Sequence, residues 1–309
     1  MSEIDARVLS GTGGVWTVRA QSGERHEAAL RGRLKQDGNR KLAVGDNVRV
    51  ERDAPGDVWA IMEIKARRST LARRAPGGAR GERIVAANVD QVIVVFAAAK
   101  PEPHVGMLDR FLVIAEANEI AARVVFNKVE LVDAAQVDTL AAPYEKAGYV
   151  VHRTSVKQKI GLAELHDTLA GKTSALTGPS GVGKSSLINA MFPGVDLRTA
   201  EISESVNKGR HTTVGAILHP LDESGSGYVV DTPGLREVGL WGLPPEHLDH
   251  CFPEFRPLLG TCKFQDCAHE TEPNCSVRAA VESGQIPAPR YESYLKLRSD
   301  LQDPDKPWE

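Results

Sequence analysis

TSALTGPSGVGKSSLINAM, residues 173–191, sets a short apolar run before a glycine-rich turn and a helix-like segment. Ser174-Ala175-Leu176-Thr177 leads into Gly178-Pro179-Ser180-Gly181-Val182-Gly183-Lys184-Ser185-Ser186. Leu187, Ile188 and Met191 then fall on one helical face, and Pro193 stops the helix. The spacing is G-x-x-x-x-G-K-[ST], the phosphate-binding loop. Glycines let backbone N–H groups turn inward around a triphosphate, and the following helix points its positive end at it. Lys184 is then the catalytic cation that neutralises the β- and γ-phosphates, and the Ser185 hydroxyl takes a Mg²⁺ position. A nucleoside triphosphate is the expected ligand.

The 309 residues suffice for two or three domains with a real core. A hydrophobic fraction of 41% and a charged fraction of 26% are those of a soluble globular protein. The longest apolar run, Val92 to Ala99, is too short to span a bilayer. Glu3 and Asp5 sit where a signal peptide would need an apolar core. The expectation is a cytoplasmic protein with no membrane partner, in which four cysteines more often bind metal than pair. Net charge is −3 but unevenly spread. Residues 1–87 hold 17 Lys and Arg against 11 Asp and Glu, and the remainder holds 21 against 30. Such asymmetry is the footprint of a module that faces a polyanion.

Before the loop the chain changes character twice. Residues 7–9, 15–19, 27–30, 47–50 and 58–61 read as short strands separated by Gly, Asp, Asn and Pro. Five strands in about sixty residues fit a small closed barrel of the OB type, which binds nucleic acid through one face and its loops. Arg31, Arg33, Lys35, Arg40 and Lys41 crowd one connection, which favours RNA. Residues 65–84, KARRSTLARRAPGGARGERI, read as a basic strap able to order on a phosphate backbone or to act as a plain hinge. From Val89 strands and helices alternate: Val92–Phe96, a helix around Leu108–Ala115, Ala122–Phe126, a helix over 134–147 and Tyr149–His152. That is an α/β sheet with helices on both faces and ligands at the carboxyl ends of its strands.

Those strand ends carry the remaining chemistry. Asn127-Lys128-Val129-Glu130 compares with N-K-x-D, whose carboxylate accepts from the two guanine donors that adenine lacks. Glu130 offers the same pair of acceptors one methylene further out. Thr154 and Ser155 match the short loop near guanine O6. Asp231-Thr232-Pro233-Gly234 has the D-x-x-G form, with Asp231 holding Mg²⁺ through water and the Gly234 N–H sensing the γ-phosphate. In the polar stretch between, Gly209-Arg210-His211-Thr212-Thr213 supplies a threonine able to close over Mg²⁺, and Thr213 is favoured over Thr212. All the elements of a GTPase are present, but the base-reading motifs precede the phosphate loop. A circular permutation accounts for that order.

Cys262, Cys267, His269 and Cys275 form C-x₄-C-x-H-x₅-C. Three thiolates and an imidazole suit one structural Zn²⁺ with no open position. Cys251 lies outside the pattern and reads as core. Helices are expected over 276–284 and 291–301, in a segment small enough to need the metal to fold.

Barrel, permuted GTPase and metal module together resemble the RsgA (YjeQ) family of GTPases that depend on the small ribosomal subunit. Ala86-Ala87-Asn88-Val89-Asp90, the G-P-S-G-V-G-K-S-S loop and Gly209-Arg210-His211-Thr212-Thr213 are similar to that family too. Glu130 departs from it, since Asp is usual there. The resemblance implies a GTPase that binds GTP and GDP, docks on the 30S subunit and its rRNA, and acts late in subunit maturation. A monomer is expected, divided at 1–66 (barrel), 67–84 (basic linker), 85–240 (GTPase) and 241–309 (zinc module).

Where Ras-type enzymes place a water-orienting Gln after D-x-x-G, this chain has Leu235, which cannot hydrogen-bond. His211 is the in-chain candidate for that task, with packing or RNA contact as its alternative. Two other functions compete with the GTPase reading. A P-loop kinase or ATPase would leave the D-x-x-G and the barrel unused. A non-catalytic, nucleotide-gated RNA-binding module would account for Leu235.

Overall fold

A computed structural model describes residues 2–31, 41–54, 58–74, 82–195, 197, 216–231 and 243–302. Five strands, β1 (Ser2–Thr12), β2 (Val15–Ala20), β3 (Arg25–Leu30), β4 (Asn47–Arg52) and β5 (Trp59–Ile64), close into a barrel in the order β1-β2-β3-β5-β4. Every neighbour is antiparallel except β3 and β5. The first strand is much longer than its apolar centre suggests because it closes the barrel, pairing with β2 along one half and β4 along the other. Val8, Val18, Val48, Val50 and Ile61, none of them exposed, fill the interior. A register shift between Val8 and Ser10 breaks the alternation and sends Leu9 out of the barrel into the neighbouring core. Bulges commonly re-aim a side chain in this way.

Part of the basic strap is structured. β6 (Thr70–Arg74) and β7 (Glu82–Ala87) form an antiparallel pair. The strap reading weighed arginines and glycines, whereas Leu71 and Ala86, both almost fully buried, anchor the pair beside Leu9 and Val44. Just ahead of it, Arg67 forks onto the fully buried Asp46 at 2.7 and 2.8 Å.

The second sheet has six strands: β8 (Gln91–Ala97), β9 (Ala121–Asn127), β10 (Val150–Arg153), β11 (Thr173–Thr177), β12 (Ile217–Pro220) and β13 (Tyr228–Asp231). Their order is β10-β9-β8-β11-β13-β12, parallel but for the edge strand β12. Four helices cover it: α1 (Val105–Ala117), α2 (Ala134–Lys146), α3 (Leu162–Leu169) and α4 (Lys184–Met191). Both faces of β8 are buried, as its unbroken apolar run requires. Val92, Val94 and Phe96 pack with Leu108, Leu112 and Tyr144. Ile93, Val95 and Ala97 pack with Leu165, Leu187 and Ile188 on the other face. Strand order reverses between β8 and β11, which marks the crevice where ligands bind in such sheets. The phosphate loop leaves β11 at that point.

Beyond residue 243 the chain forms short 3₁₀ turns and two helices, α5 (Ser276–Glu282) and α6 (Ala288–Gln302). Cys251 is buried, as a core residue should be. Arg290 of α6, 1% exposed, docks this region on the GTPase sheet by pairing with Asp109 of α1 and with Glu254 at 2.7 Å. Among the described residues, no helix is long and apolar enough to cross a membrane.

Candidate functional site

The phosphate loop bends where only glycine fits. Gly178 has φ of +134°, and a Cβ there would lie 2.0 Å from the Val95 carbonyl oxygen of the adjacent strand. Gly183 has φ of +95°, and its Cβ would meet Asn127 Nδ2 at 2.5 Å. Val182 is buried between them, whereas Ser180 and Gly181 stand exposed on the outer rim. Lys184 Nζ curls back to the carbonyls of Gly178 and Pro179, at 2.8 and 2.6 Å. Ser185 and Ser186 occupy the first turn of α4. A loop of inward backbone with a lysine held across it and a helix start beneath it fits a chain of phosphates.

The segment Asn127–Glu130 meets this loop directly. Asn127, 2% exposed, donates from Nδ2 to the Val182 carbonyl at 2.8 Å. Its Oδ1 accepts from the buried Thr154 hydroxyl at 3.1 Å. Lys128 donates to the Gly181 and Lys100 carbonyls, both at 2.6 Å. Its backbone is left-handed, with φ of +59°, which turns the chain from β9 into the short 3₁₀ turn Val129–Leu131. Glu130 lies in that turn, and its Oε2 is buried without a hydrogen-bond partner. An unmatched buried acceptor is costly unless a ligand supplies the donor, and guanine carries two. Ser155, fully buried, bridges to Ile160 and so shapes the neighbouring loop.

Asp231 closes β13, with its backbone paired to Leu176 of β11 and Ile217 of β12. The strand therefore delivers it beside the start of the phosphate loop. The Asp231 side chain, His211, Thr213 and Gly234 lie outside the described residues, as does Leu235. Sequence reasoning missed Lys100, whose carbonyl helps to seat Lys128. Nothing but the adjacent Pro101 marks that position.

The structure also gathers Cys262, Cys267, His269 and Cys275, with ligand atoms all within 4.8 Å of one another. Cys262 and Cys275 sulfurs stand 3.9 Å apart, and His269 Nδ1 lies 3.7 and 3.3 Å from them. Tetrahedral Zn²⁺ with ordinary bond lengths has ligand–ligand edges of about 3.4–3.8 Å, so the donor set fits that ion. Backbone N–H groups of Ser276 and Arg278 point at the Cys262 and Cys275 sulfurs, at 3.4 and 3.5 Å. His269 Nε2 lies 3.6 Å from Asp249, which orients the ring for coordination through Nδ1. Asp249 was not legible beforehand, because it lies outside the Cys/His pattern.

A nucleotide loop joined to base-reading motifs that precede it in the chain defines a circularly permuted GTPase. The family model described as RsgA GTPase matches residues 64–241. The small ribosomal subunit biogenesis GTPase RsgA of Gemmatimonas aurantiaca is 59% identical over 297 residues, covering 95% of this chain and 96% of that one. Its namesake from Bacteroides fragilis is 36% identical, covering 96% of each. The crystal structure of YjeQ from Thermotoga maritima superimposes with a TM-score of 0.80 at 36% identity, covering 97% of this chain and 99% of that one. YloQ, described as a circularly permuted GTPase, does so with a TM-score of 0.75 at 27% identity, covering 99% and 98%. The chain belongs to the RsgA GTPase family, and it is a GTP-hydrolysing enzyme.

Proposed function

We propose that this GTPase serves the biogenesis of the small ribosomal subunit, binding that subunit and its rRNA through the N-terminal barrel. The observation that carries the reading is the 59% identity, along nearly the whole chain, to a relative bearing that name. The positive charge of the first 87 residues supports an RNA-facing barrel. The division of labour follows the boundaries 1–66, 67–84, 85–240 and 241–309. The chain works as a monomer in the cytoplasm.

Within the site, Gly178 to Ser186 cradle the phosphates, and Lys184 leaves its two carbonyls to neutralise charge that grows on the leaving β-phosphate. Asn127 and Lys128 fix the base-side loop against the phosphate loop. Glu130 accepts from the guanine edge, and Thr154 and Ser155 shape the loop that faces O6. Ser185 and Thr213 would hold Mg²⁺ with the help of Asp231, and the ion would supply positive charge to neutralise the phosphates. The Gly234 N–H senses the γ-phosphate. Because Leu235 cannot orient the attacking water, His211 is assigned that task. Cys262, Cys267, His269 and Cys275 would hold one Zn²⁺ that stabilises the C-terminal module without entering the reaction.

The test is co-sedimentation of the full chain with purified small subunits in GDP or in a non-hydrolysable GTP analogue. Tight binding only in the analogue supports a subunit-docking switch. Equal or absent binding in both would sink it.

A further inference from the structure

On the amino-terminal side of the strands, away from the phosphate loop, a cavity of about 420 Å³ lies between the barrel and the GTPase sheet. Its walls come from β1, β2 and β4 and from the β12–β13 hairpin, at Ser224 and Gly225 of its tip and Tyr228 at the start of β13. Three cations and one acid border it: Arg7, Arg19, Lys65 and Asp5. Lys65 and Asp5 pair with each other at 2.6 Å. The arginines are left with neutral partners. Arg19, 7% exposed, donates to the Glu223 carbonyl and, at 3.5 Å each, to the Ser224 carbonyl and the Tyr228 hydroxyl. Arg7 donates to Thr173 Oγ1 at 2.8 Å and to the Asn88 carbonyl at 3.3 Å, and stacks over the Tyr228 ring 4.5 Å from its centroid. Its Nε is buried with no acceptor.

Neither guanidinium has a carboxylate partner among the described residues. Asp90 acts on Arg7 only through space, its oxygens accepting instead from Arg68 and from the Thr173 N–H. Carbonyl oxygens satisfy N–H groups but do not cancel charge, and a buried cation such as Arg19 without a paired anion is expensive, while Arg7 has only the through-space charge of Asp90 to offset it. We infer that this seam binds a phosphate-type oxyanion, seated between Arg7 and Arg19 with Lys65 at its edge. Guanidinium forks match phosphate geometry, and Asn47 and Gln21 add neutral amide donors on the wall. The volume exceeds that of a bare anion and lies in the range of small-ligand sites. The phosphate therefore belongs either to an RNA backbone lying on the barrel or to a free phosphorylated small molecule.

The experiment uses the full chain saturated with GDP and Mg²⁺, so that the nucleotide site is filled. Inorganic phosphate is titrated at constant ionic strength set with chloride, and the thermal midpoint is recorded. Gln21→Glu puts a negative charge on the exposed wall, and Lys65→Gln removes a positive one, neither replacing Arg7 or Arg19. Saturable stabilisation is expected, with each variant needing at least fivefold more phosphate and melting like wild type without it. A short single-stranded RNA is titrated against the same variants. A parallel loss of RNA affinity assigns the phosphate to a nucleic-acid backbone, and unchanged RNA affinity assigns it to a free ligand. No saturable phosphate effect, or one that both variants retain in full, overturns the inference.

Discussion

The side-chain amide of Asn127 donates to the Val182 carbonyl across 2.8 Å, from the end of β9 into the middle of the phosphate loop. The two residues are 55 apart in the chain, and Asn127 comes ahead of the phosphate loop. A circular permutation keeps such a contact because it changes connectivity and not neighbours. The same bond explains why a glycine is needed at 183, where any Cβ would collide with that amide.

Replacing Asn127 with Ala strands the Val182 carbonyl and the Thr154 hydroxyl without partners. Losing one partner of a buried hydrogen bond costs about 1–3 kcal/mol, so nucleotide affinity should fall about five- to 150-fold. Titration with a fluorescent GDP analogue, alongside a thermal melt, separates this from unfolding. Wild-type affinity in the variant would show that the contact does not brace the loop.

Removing the metal should unmake the C-terminal module. Cys262, Cys267, His269 and Cys275 converge in one loop, and the Tyr291 and Tyr294 hydroxyls cap the His269 and Ala268 carbonyls only while that loop is in place. Metal analysis should find one zinc per chain. Chelation or Cys262→Ser should expose the module to protease while GDP binding persists. A metal-free chain with an unchanged digestion pattern would contradict this.

Arg290 is the rivet between that module and the GTPase sheet. It pairs with Asp109 and Glu254 and lies 4.6 Å from the Phe252 ring centre. Burial pushes the Asp109 carboxyl above its ordinary range even with the arginine beside it. Arg290→Ala leaves two buried carboxylates unpaired and should cost about 3–5 kcal/mol in urea unfolding. Adding Asp109→Asn should recover part of that loss. No recovery would mean that packing, and not charge, dominates.

The tip of the β12–β13 hairpin carries a pH-dependent turn. The Ser224 hydroxyl, then the Ser226 hydroxyl and backbone N–H groups, hold the Asp222 carboxyl down to about 2, from an ordinary 3.8. A depressed carboxyl stabilises the turn above its unfolded value, and that contribution disappears as pH falls from 3.8 toward 2. Carboxyl NMR should therefore give a midpoint near 2, raised in Ser224→Ala. A wild-type midpoint at the ordinary value would refute the turn.

Much of this architecture was legible. The run Val92–Phe96 announced a strand buried on both faces, and the G-x-x-x-x-G-K-S spacing located the crevice, because both patterns are local. What escaped was set by partners distant in sequence. Ser2–Thr12 reads as a three-residue strand because its outer residues are polar, and only barrel closure gives them neighbours. Thr70–Arg74 and the first residues of Glu82–Ala87 read as a strap because arginine and glycine dominate residues 65–84, while Leu71 and Ala86 supply the burial. Arg290, Asp249 and the seam arginines carry no motif at all. Their roles follow from which carboxylates the fold brings near them, or withholds.

The most direct test of the account is multiple-turnover hydrolysis of GTP and ATP, with and without purified small ribosomal subunits, on wild type and Lys184→Ala. The account predicts slow GTP turnover alone, a rise of at least tenfold with subunits, little ATP turnover, and loss of the stimulated rate in the variant. ATP turnover equal to that of GTP, or GTP turnover indifferent to subunits, would contradict it.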